Sequence, residues 1–437
     1  MTMAETTPPK KIALLGYGRE NKSLLRFLRR DKKFRQAEFW VLDENPSVTV
    51  PKGVRTQTGK IYLSGLTQFD IIFRTPGIPY NLPALRRARE AGVEISSATA
   101  IFFERCRAKI LGVTGTKGKG TTSTLIHKML RAGGKRAILA GNIGTPMIDL
   151  LPKLDRRAWA VLELSSFQLQ DLTRSPHVAL VLDIFPDHQD SHADLKEYYA
   201  AKANITRHQT RQDLLFYAQT SPVTRRIAAR SRARKVAIAP KKFTLFRPED
   251  LAIRGEHNFR NAVAAATVAL HLGVPTRIVR EVATRFRGLP HRLEFVRRID
   301  GVSFWNDSAS TNPHTSSAAI LAFPGAVNVL IAGGQDKNLD YAPLKKTLTS
   351  KGCRAGSMLV VLIGENRQKI RKALASACAI TQMANDLKSA VDYAYHAARM
   401  TRNRANVVFS PGAASFDMFL NYADRGEQFR KIVHRLT

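Results

Sequence analysis

The chain has 437 residues, 44% of them hydrophobic and 24% charged, an ordinary globular composition with room for about two to four domains. No apolar run approaches the roughly 20 residues a membrane helix needs, and Met1 to Lys11 lacks the apolar core of a secretory signal, so neither membrane insertion nor export is expected. Lys and Arg total 69 against 35 Asp and Glu, a net charge of +34 that favours anionic partners such as nucleotides, phosphorylated substrates, nucleic acid or a membrane surface.

In chain order, the first strand is Ile12 to Leu15, followed by Gly16-Tyr17-Gly18 and a helical stretch from Ser23 to Arg30. Phe39 to Leu42 is a second strand ending at Asp43, and Asp70 to Phe73 a third, running into the turn Thr75 to Pro79. Strands alternating with helices predict a parallel sheet. A second block opens at Lys109 to Gly112, with further strands expected at Ala137–Ala140, Trp159–Glu163 and Val178–Ile184. A third begins near Leu289 to Arg292, with strands at Val302–Trp305, Val327–Ala332, Met358–Ile363 and Asn406–Phe409. The expected organisation is three α/β domains in series: residues 1–107, 108–288 and 289–437.

The basic residues are spread through the chain and are densest from Arg225 to Lys242. A solvated surface is the simplest reading of them, and with no RNA- or DNA-binding motif present a nucleic-acid partner is not expected. Cys106, Cys353 and Cys378 are widely spaced and odd in number, forming neither a metal nor a disulfide pattern. They point to a reducing compartment, and a cytoplasmic monomer is expected.

The most informative segment is Gly112 to Thr122, which contains Gly115, Thr116, Lys117, Gly118, Lys119, Gly120 and Thr121 between an apolar strand and a helix-forming run. Glycines let backbone N–H groups converge on phosphate oxygens, and the helix N-terminus adds partial positive charge. Lys119 can reach the β- and γ-phosphates, and the hydroxyl of Thr121 or Thr122 can bind Mg²⁺. By contrast Gly16-x-Gly18 lacks the third glycine of a dinucleotide fingerprint, where this chain has Asn21. Gly16 and Asp43 mark either a nucleotide-like ligand or a tight turn.

Glu163 ends an apolar strand, where a carboxylate faces the ligand crevice of a parallel sheet and can hold a cation beside phosphates. The run Asp183 to His192 holds two His and three Asp, from which carboxylate metal ligands and a contribution from His188 are expected. Zinc is the other possibility, though without cysteine support. On composition alone Lys202 is a solvated helix lysine. In the third block three polar loops follow strands: Asn306 to Pro313, Gly333 to Lys337, and Ser410 to Asp417. Together they suggest a site at one end of a sheet.

Read in order, Gly115 to Lys119, Gly141-Asn142, Leu162 to Leu169, Asp187-His188, Gly255 to Asn261, Pro290 to Glu294, Asn306 to Ser308 and Ser410 to Asp417 resemble the Mur ligases over essentially the whole chain. The string Ser165 to Leu169 resembles the family's glutamate-adding branch. The resemblance implies an ATP-dependent carboxylate–amine ligase with a Rossmann-like N-terminal domain for a UDP-linked muramoyl substrate. A central P-loop ATPase domain with a mainly parallel sheet and a Rossmann-like C-terminal domain for an acidic amino acid would follow. It implies that Lys119 binds the triphosphate and that Thr121, Glu163 and His188 serve two Mg²⁺ ions. Lys202 would be carbamylated by CO₂ to become an anionic ligand, which requires a neutral amine. Asn261 would meet the adenine end of ATP, Arg292 and Asp307 would join from the third domain, and Asn142 would meet the muramoyl group. Lys337, Ser415 and Tyr422 match positions around the incoming amino acid.

The chain departs from the family pattern in carrying Gly120 between Lys119 and the threonines, Ala309 where glutamate-adding members have Lys, and an uncommon N-terminal loop at Arg19 to Lys22. A folylpolyglutamate-type or sister ligase, and a basic nucleic-acid-binding ATPase, are the alternatives.

Overall fold

A computed structural model describes residues 10–142, 145–186, 192–323, 327–350, 358–377, 379–401 and 405–437. The first sheet contains β1 (Lys11–Leu15), β2 (Glu38–Asp43), β3 (Arg55–Thr58), β4 (Ile71–Arg74) and β5 (Glu94–Ser96) in the order β3-β2-β1-β4-β5, every pair parallel. Parallel neighbours need crossovers, and helices such as Arg19–Leu28 supply them. That helix begins four residues before the expected Ser23, because the chain turns directly out of the glycine pair into it.

The second sheet contains β6 (Lys109–Thr114), β7 (Ala137–Gly141), β8 (Trp159–Glu163), β9 (Val178–Val181), β10 (Leu214–Ala218) and β11 (Arg234–Ile238), ordered β11-β10-β9-β6-β8-β7 and again wholly parallel. Its inner strands are continuous apolar runs because helices cover both faces. Leu111, Val113, Val161, Leu162, Leu180 and Val181 are fully buried, where truncation to alanine costs about 2–5 kcal/mol each. The expected strand Val178–Ile184 ends at Val181 instead. Beyond Leu182 its carbonyls leave the ladder to clasp a neighbouring loop, and Asp183 O accepts from Thr116 N at 2.9 Å.

The third sheet contains β12 (Glu294–Ile299), β13 (Val302–Asn306), β14 (Val327–Gly333), β15 (Met358–Ile363), β16 (Ala379–Met383) and β17 (Ala405–Phe409), in the order β12-β13-β17-β14-β15-β16. Only the hairpin partner β12 runs antiparallel. Its core, around Phe304, Ile331, Val361, Val407, Phe409 and Phe429, is separate from that of the first two sheets.

Two compact units result. One runs up to Leu245 and includes Asn261–Ala283, carrying the first two sheets; the other comprises Phe246–Arg260 and Thr284–Thr437 with the third. No described helix is long and apolar enough to cross a membrane.

Candidate active site

The glycine loop lies between β6 and the helix Lys119–Ala132, at the carboxyl end of a central strand. Gly118, with φ +86°, caps that helix, and a Cβ there would overlap the side-chain amide of Asn261. Gly115, with φ +155°, has Leu182 Cβ only 2.7 Å from where its own Cβ would stand. Both positions therefore require glycine, and the backbone they leave open is a cradle that a phosphate can enter. The loop is pinned from behind: Thr116 Oγ1 donates to Phe185 O at 3.0 Å, accepts from Phe185 N at 2.9 Å, and lies 2.9 Å from the Tyr198 hydroxyl.

Lys119 Nζ donates to Gly115 O at 3.1 Å and Thr116 O at 3.0 Å, so its ammonium lies over the loop's own carbonyls. Thr121 and Thr122 fall in the first turn of the helix. Thr122 is fully buried, with a hydroxyl that has no partner among the described residues, while Thr121 sits nearer the surface at 9% exposure. Asn261, expected at the adenine end of a nucleotide, is packed at Gly118.

Glu163 ends β8 directly across from Val113 in β6, so its carboxylate sits one strand from the cradle. It is buried, and accepts from Asn142 Nδ2 at 3.3 Å. Gly141 makes this approach possible: a Cβ there, at φ +107°, would strike the Glu163 backbone. Lys202, read from composition as a solvated helix lysine, is instead buried at 2% exposure. The helix Leu195–Arg207 turns this position inward, where Nζ donates to Gly115 O at 2.9 Å and stands 4.8 Å from the Tyr198 ring centroid. His188 and its neighbours Asp187 and Asp190 lie outside the described residues. Of the same acidic run, Asp183 accepts from the Thr220 hydroxyl. His192 stacks on Phe167 at 5.0 Å and lies 3.0 Å from Ser166 Oγ, a packing role.

The string Ser165 to Leu169 has a physical account. Ser165 and Gln168 form a reciprocal capping box that starts a short helix just past Glu163. Gln168 also donates to Glu20 at 3.2 Å, reaching the first sheet. Burial pushes the Glu20 carboxyl above its ordinary range, with that hydrogen bond opposing. Beside it Arg74, from the end of β4, donates to both oxygens of Asp171 at 2.9 and 2.8 Å and to Phe167 O at 2.9 Å. Sequence reasoning passed over this pair. Its one signal was a charged residue continuing the apolar run Ile71 to Phe73.

In the first sheet the order reverses between β1 and β4, the place where such folds bind ligands. Gly16, with φ +78°, leaves no room for a Cβ against Thr75. Asp43 accepts from Tyr17 N at 2.6 Å and Asn45 N at 2.9 Å, so both its oxygens brace the turn. Asn21 is fully buried where a dinucleotide fold has its third glycine. Its amide donates to Leu15 O, Gly16 O and Phe73 O at 3.2, 2.8 and 3.1 Å, stitching β1 to β4. A side chain thus fills the gap that a glycine would close by contact.

In the other unit, the three polar loops do come together, because β13, β17 and β14 are adjacent. Asp307 N bonds to Phe409 O, Gly412 N to Ser310 O and Gly333 N to Pro411 O. Asp307 accepts from Ser410 Oγ at 2.7 Å and Leu293 N at 3.1 Å. Burial pushes its carboxyl up to about 7, opposed by these bonds and by Arg292. Arg292 itself is exposed, as are Lys337 and Tyr422, while Ser415 is buried. Lys337 Nζ lies 5.6 Å from the Phe416 ring centroid. Arg425, not anticipated, is fully buried and donates to Ser308 Oγ and O and to the carbonyls of Ala413 and Ala414. Burial pulls it down to about 10, with Asp417 opposing. It ties two of the three loops together.

Residues 113–247 match the family model for the Mur ligase middle domain, and residues 10–97 that for the MurD-like N-terminal domain of Mur ligases. The UDP-N-acetylmuramoylalanine–D-glutamate ligase of Acetivibrio thermocellus is 36% identical, covering 98% of this chain and 97% of the relative. That of Symbiobacterium thermophilum is 35% identical over 100% of both. Among solved structures, the UDP-N-acetylmuramate–alanine ligase of Thermotoga maritima shares the fold at a TM-score of 0.58 and 16% identity, covering 97% and 99% of the two chains.

Proposed function

The chain belongs to the Mur ligase family, and we propose that it adds D-glutamate to UDP-N-acetylmuramoyl-L-alanine at the expense of ATP, in the cytoplasm and as a monomer, for peptidoglycan precursor synthesis. The observation that carries this reading is the glycine cradle before the helix Lys119–Ala132, with Glu163 paired across from Val113 on the adjoining strand. Residues 1–107 would hold the UDP-linked substrate, with Gly16 and Asp43 as candidates, and Asn142 of the second domain would meet its muramoyl group. Residues 108–288 would hold ATP, and 289–437 the amino acid, near Lys337, Ser415 and Tyr422.

A carboxylate resists attack by an amine, because its charge repels nucleophiles and oxide is a poor leaving group. Phosphoryl transfer onto the substrate carboxylate supplies a leaving group; the amine then attacks the carbonyl carbon and phosphate departs. The loop N–H groups and Lys119 offset the charge of the moving phosphoryl group. The residues also fit a divalent cation: a buried carboxylate at Glu163 and threonine hydroxyls lie on adjoining elements. Thr121, Glu163 and the His188 position would hold Mg²⁺, which when bound neutralises phosphate charge. Lys202 would join as a carbamate; its buried amine beside Gly115 supports that role. Carbon-13 NMR of protein in labelled bicarbonate tests it, and the absence of a carbamate signal that depends on Lys202 would refute it.

Gly120 and Ala309 keep a sister or folylpolyglutamate-type ligase as the second reading. Substrate panels scored by phosphate release separate them, and nucleic-acid-stimulated hydrolysis would contradict both.

A further inference from the structure

All six strands of the second sheet are parallel, so their amino-terminal ends share one end of the sheet, opposite the glycine cradle. Every one of them is entered through an exposed cation. In spatial order these are Arg234 on β11, Arg211 before β10, Arg174 before β9, Lys109 on β6, Arg157 before β8 and Arg136 before β7. Acids are sparse there, and all are engaged. Asp155 pairs with Arg136 at 2.5 Å, Asp171 is buried against Arg74, and Asp213 accepts from Thr210 N at 2.7 Å. Arg157, Arg174, Arg211 and Arg234 make no ion pair among the described residues.

The charge continues at the β11 edge. No acid occurs between Asp213 and Glu249, whereas Arg232, Arg234 and Lys235 all stand exposed in and beside that edge strand. Helix-end complementarity accounts for Arg131, Arg207 and Arg230, which sit in last helical turns. It does not account for the cations in the connections beyond them. Within this face lies a concavity of about 430 Å³ lined by Thr173, Arg174, Ser175, His177 and His208 among others.

We propose that the amino-terminal end of the second sheet is a docking face for a membrane surface rich in anionic lipid. Its cations extend across the whole width of the sheet and around its edge, which suits an extended charged plane. Single-stranded nucleic acid would call for aromatic stacking platforms. None of the exposed large apolar side chains belongs to these connections, and Lys109 lies 5.6 Å from the Trp159 ring centroid, covering that indole. With no exposed apolar anchor, attachment is electrostatic, peripheral and sensitive to salt. The cradle, at the opposite end, stays open to nucleotide.

Co-sedimentation of the full chain with vesicles of equal parts phosphatidylglycerol and phosphatidylcholine tests this. Binding is expected at physiological salt, with little to pure phosphatidylcholine and a marked loss at high salt. The triple variant Arg232→Glu, Arg234→Glu, Lys235→Glu should bind at least about a hundredfold more weakly with ligase turnover unchanged. A control of equal charge change in the other unit, Lys346→Glu, Arg371→Glu, Lys372→Glu, should bind as the parent does. No binding to the anionic vesicles, equal loss in both triple variants, or displacement from vesicles by single-stranded RNA at matched phosphate would overturn the proposal.

Discussion

Lys202 and Gly115 are joined by a 2.9 Å hydrogen bond from Nζ to the loop carbonyl, and Lys119 donates to the same oxygen at 3.1 Å. Two lysine Nζ atoms, from helices far apart in sequence, thus converge on one atom of the glycine cradle. Lys119 supplies the positive charge that a polyphosphate would meet, and Lys202 the amine proposed to become a carbamate. Lys119→Ala should lower turnover by roughly two to three orders of magnitude or more, as loss of a transition-state charge contact does. Its melting temperature should stay near that of the parent, because the partners it loses are loop carbonyls. Steady-state phosphate release and a melting curve measure both effects.

Gly118→Ala asks an alanine to adopt φ +86° and to share space with Asn261. Strain of about 1–3 kcal/mol should appear as ATP binding weakened by about tenfold or more, readable by isothermal titration. Unchanged affinity would mean that the nucleotide binds elsewhere.

Arg74 and Asp171 are the buried tie between the first two sheets, with side chains 1% and 0% exposed. Burial pushes the Asp171 carboxyl up and Arg74 opposes it, so the pair persists only because each partner is present. Asp171→Ala should destabilise by about 3–5 kcal/mol, since it strands a buried guanidinium. Glu90→Ala, which removes the exposed partner of Arg86, should cost under about 1 kcal/mol. Urea unfolding of the two variants makes the comparison.

The central strands were legible because fully buried parallel strands are unbroken apolar runs, as at Trp159–Glu163 and Met358–Ile363. Edge strands were not: Arg55–Thr58 is wholly polar, and its structure comes from pairing with β2 rather than from its own sequence. The cradle was readable because a glycine run between strand and helix has few other uses. The fate of Lys202 was not, since burial of one helix face depends on what packs against it. The same holds for Arg425 and Asn21, whose roles are set by carbonyls distant in sequence.

Asp307 gives stability a pH dependence. Its folded pKa of about 7 lies above the ordinary 3.8. Its contribution is therefore fully present below the lower value and lost as pH rises through the upper one. Between the two, the parent should lose roughly 1 kcal/mol per pH unit relative to Asp307→Asn, which cannot titrate. Urea unfolding of both proteins at several values in that window reads the difference, and parallel profiles would contradict a raised carboxyl.

The most direct measurement is phosphate release by the purified chain with ATP, Mg²⁺ and UDP-N-acetylmuramoyl-L-alanine, varying only the amino acid. Release that requires D-glutamate, accompanied by the glutamylated product, is the predicted result. Release driven by a different amino acid, or by nucleic acid with no amino acid present, would contradict it.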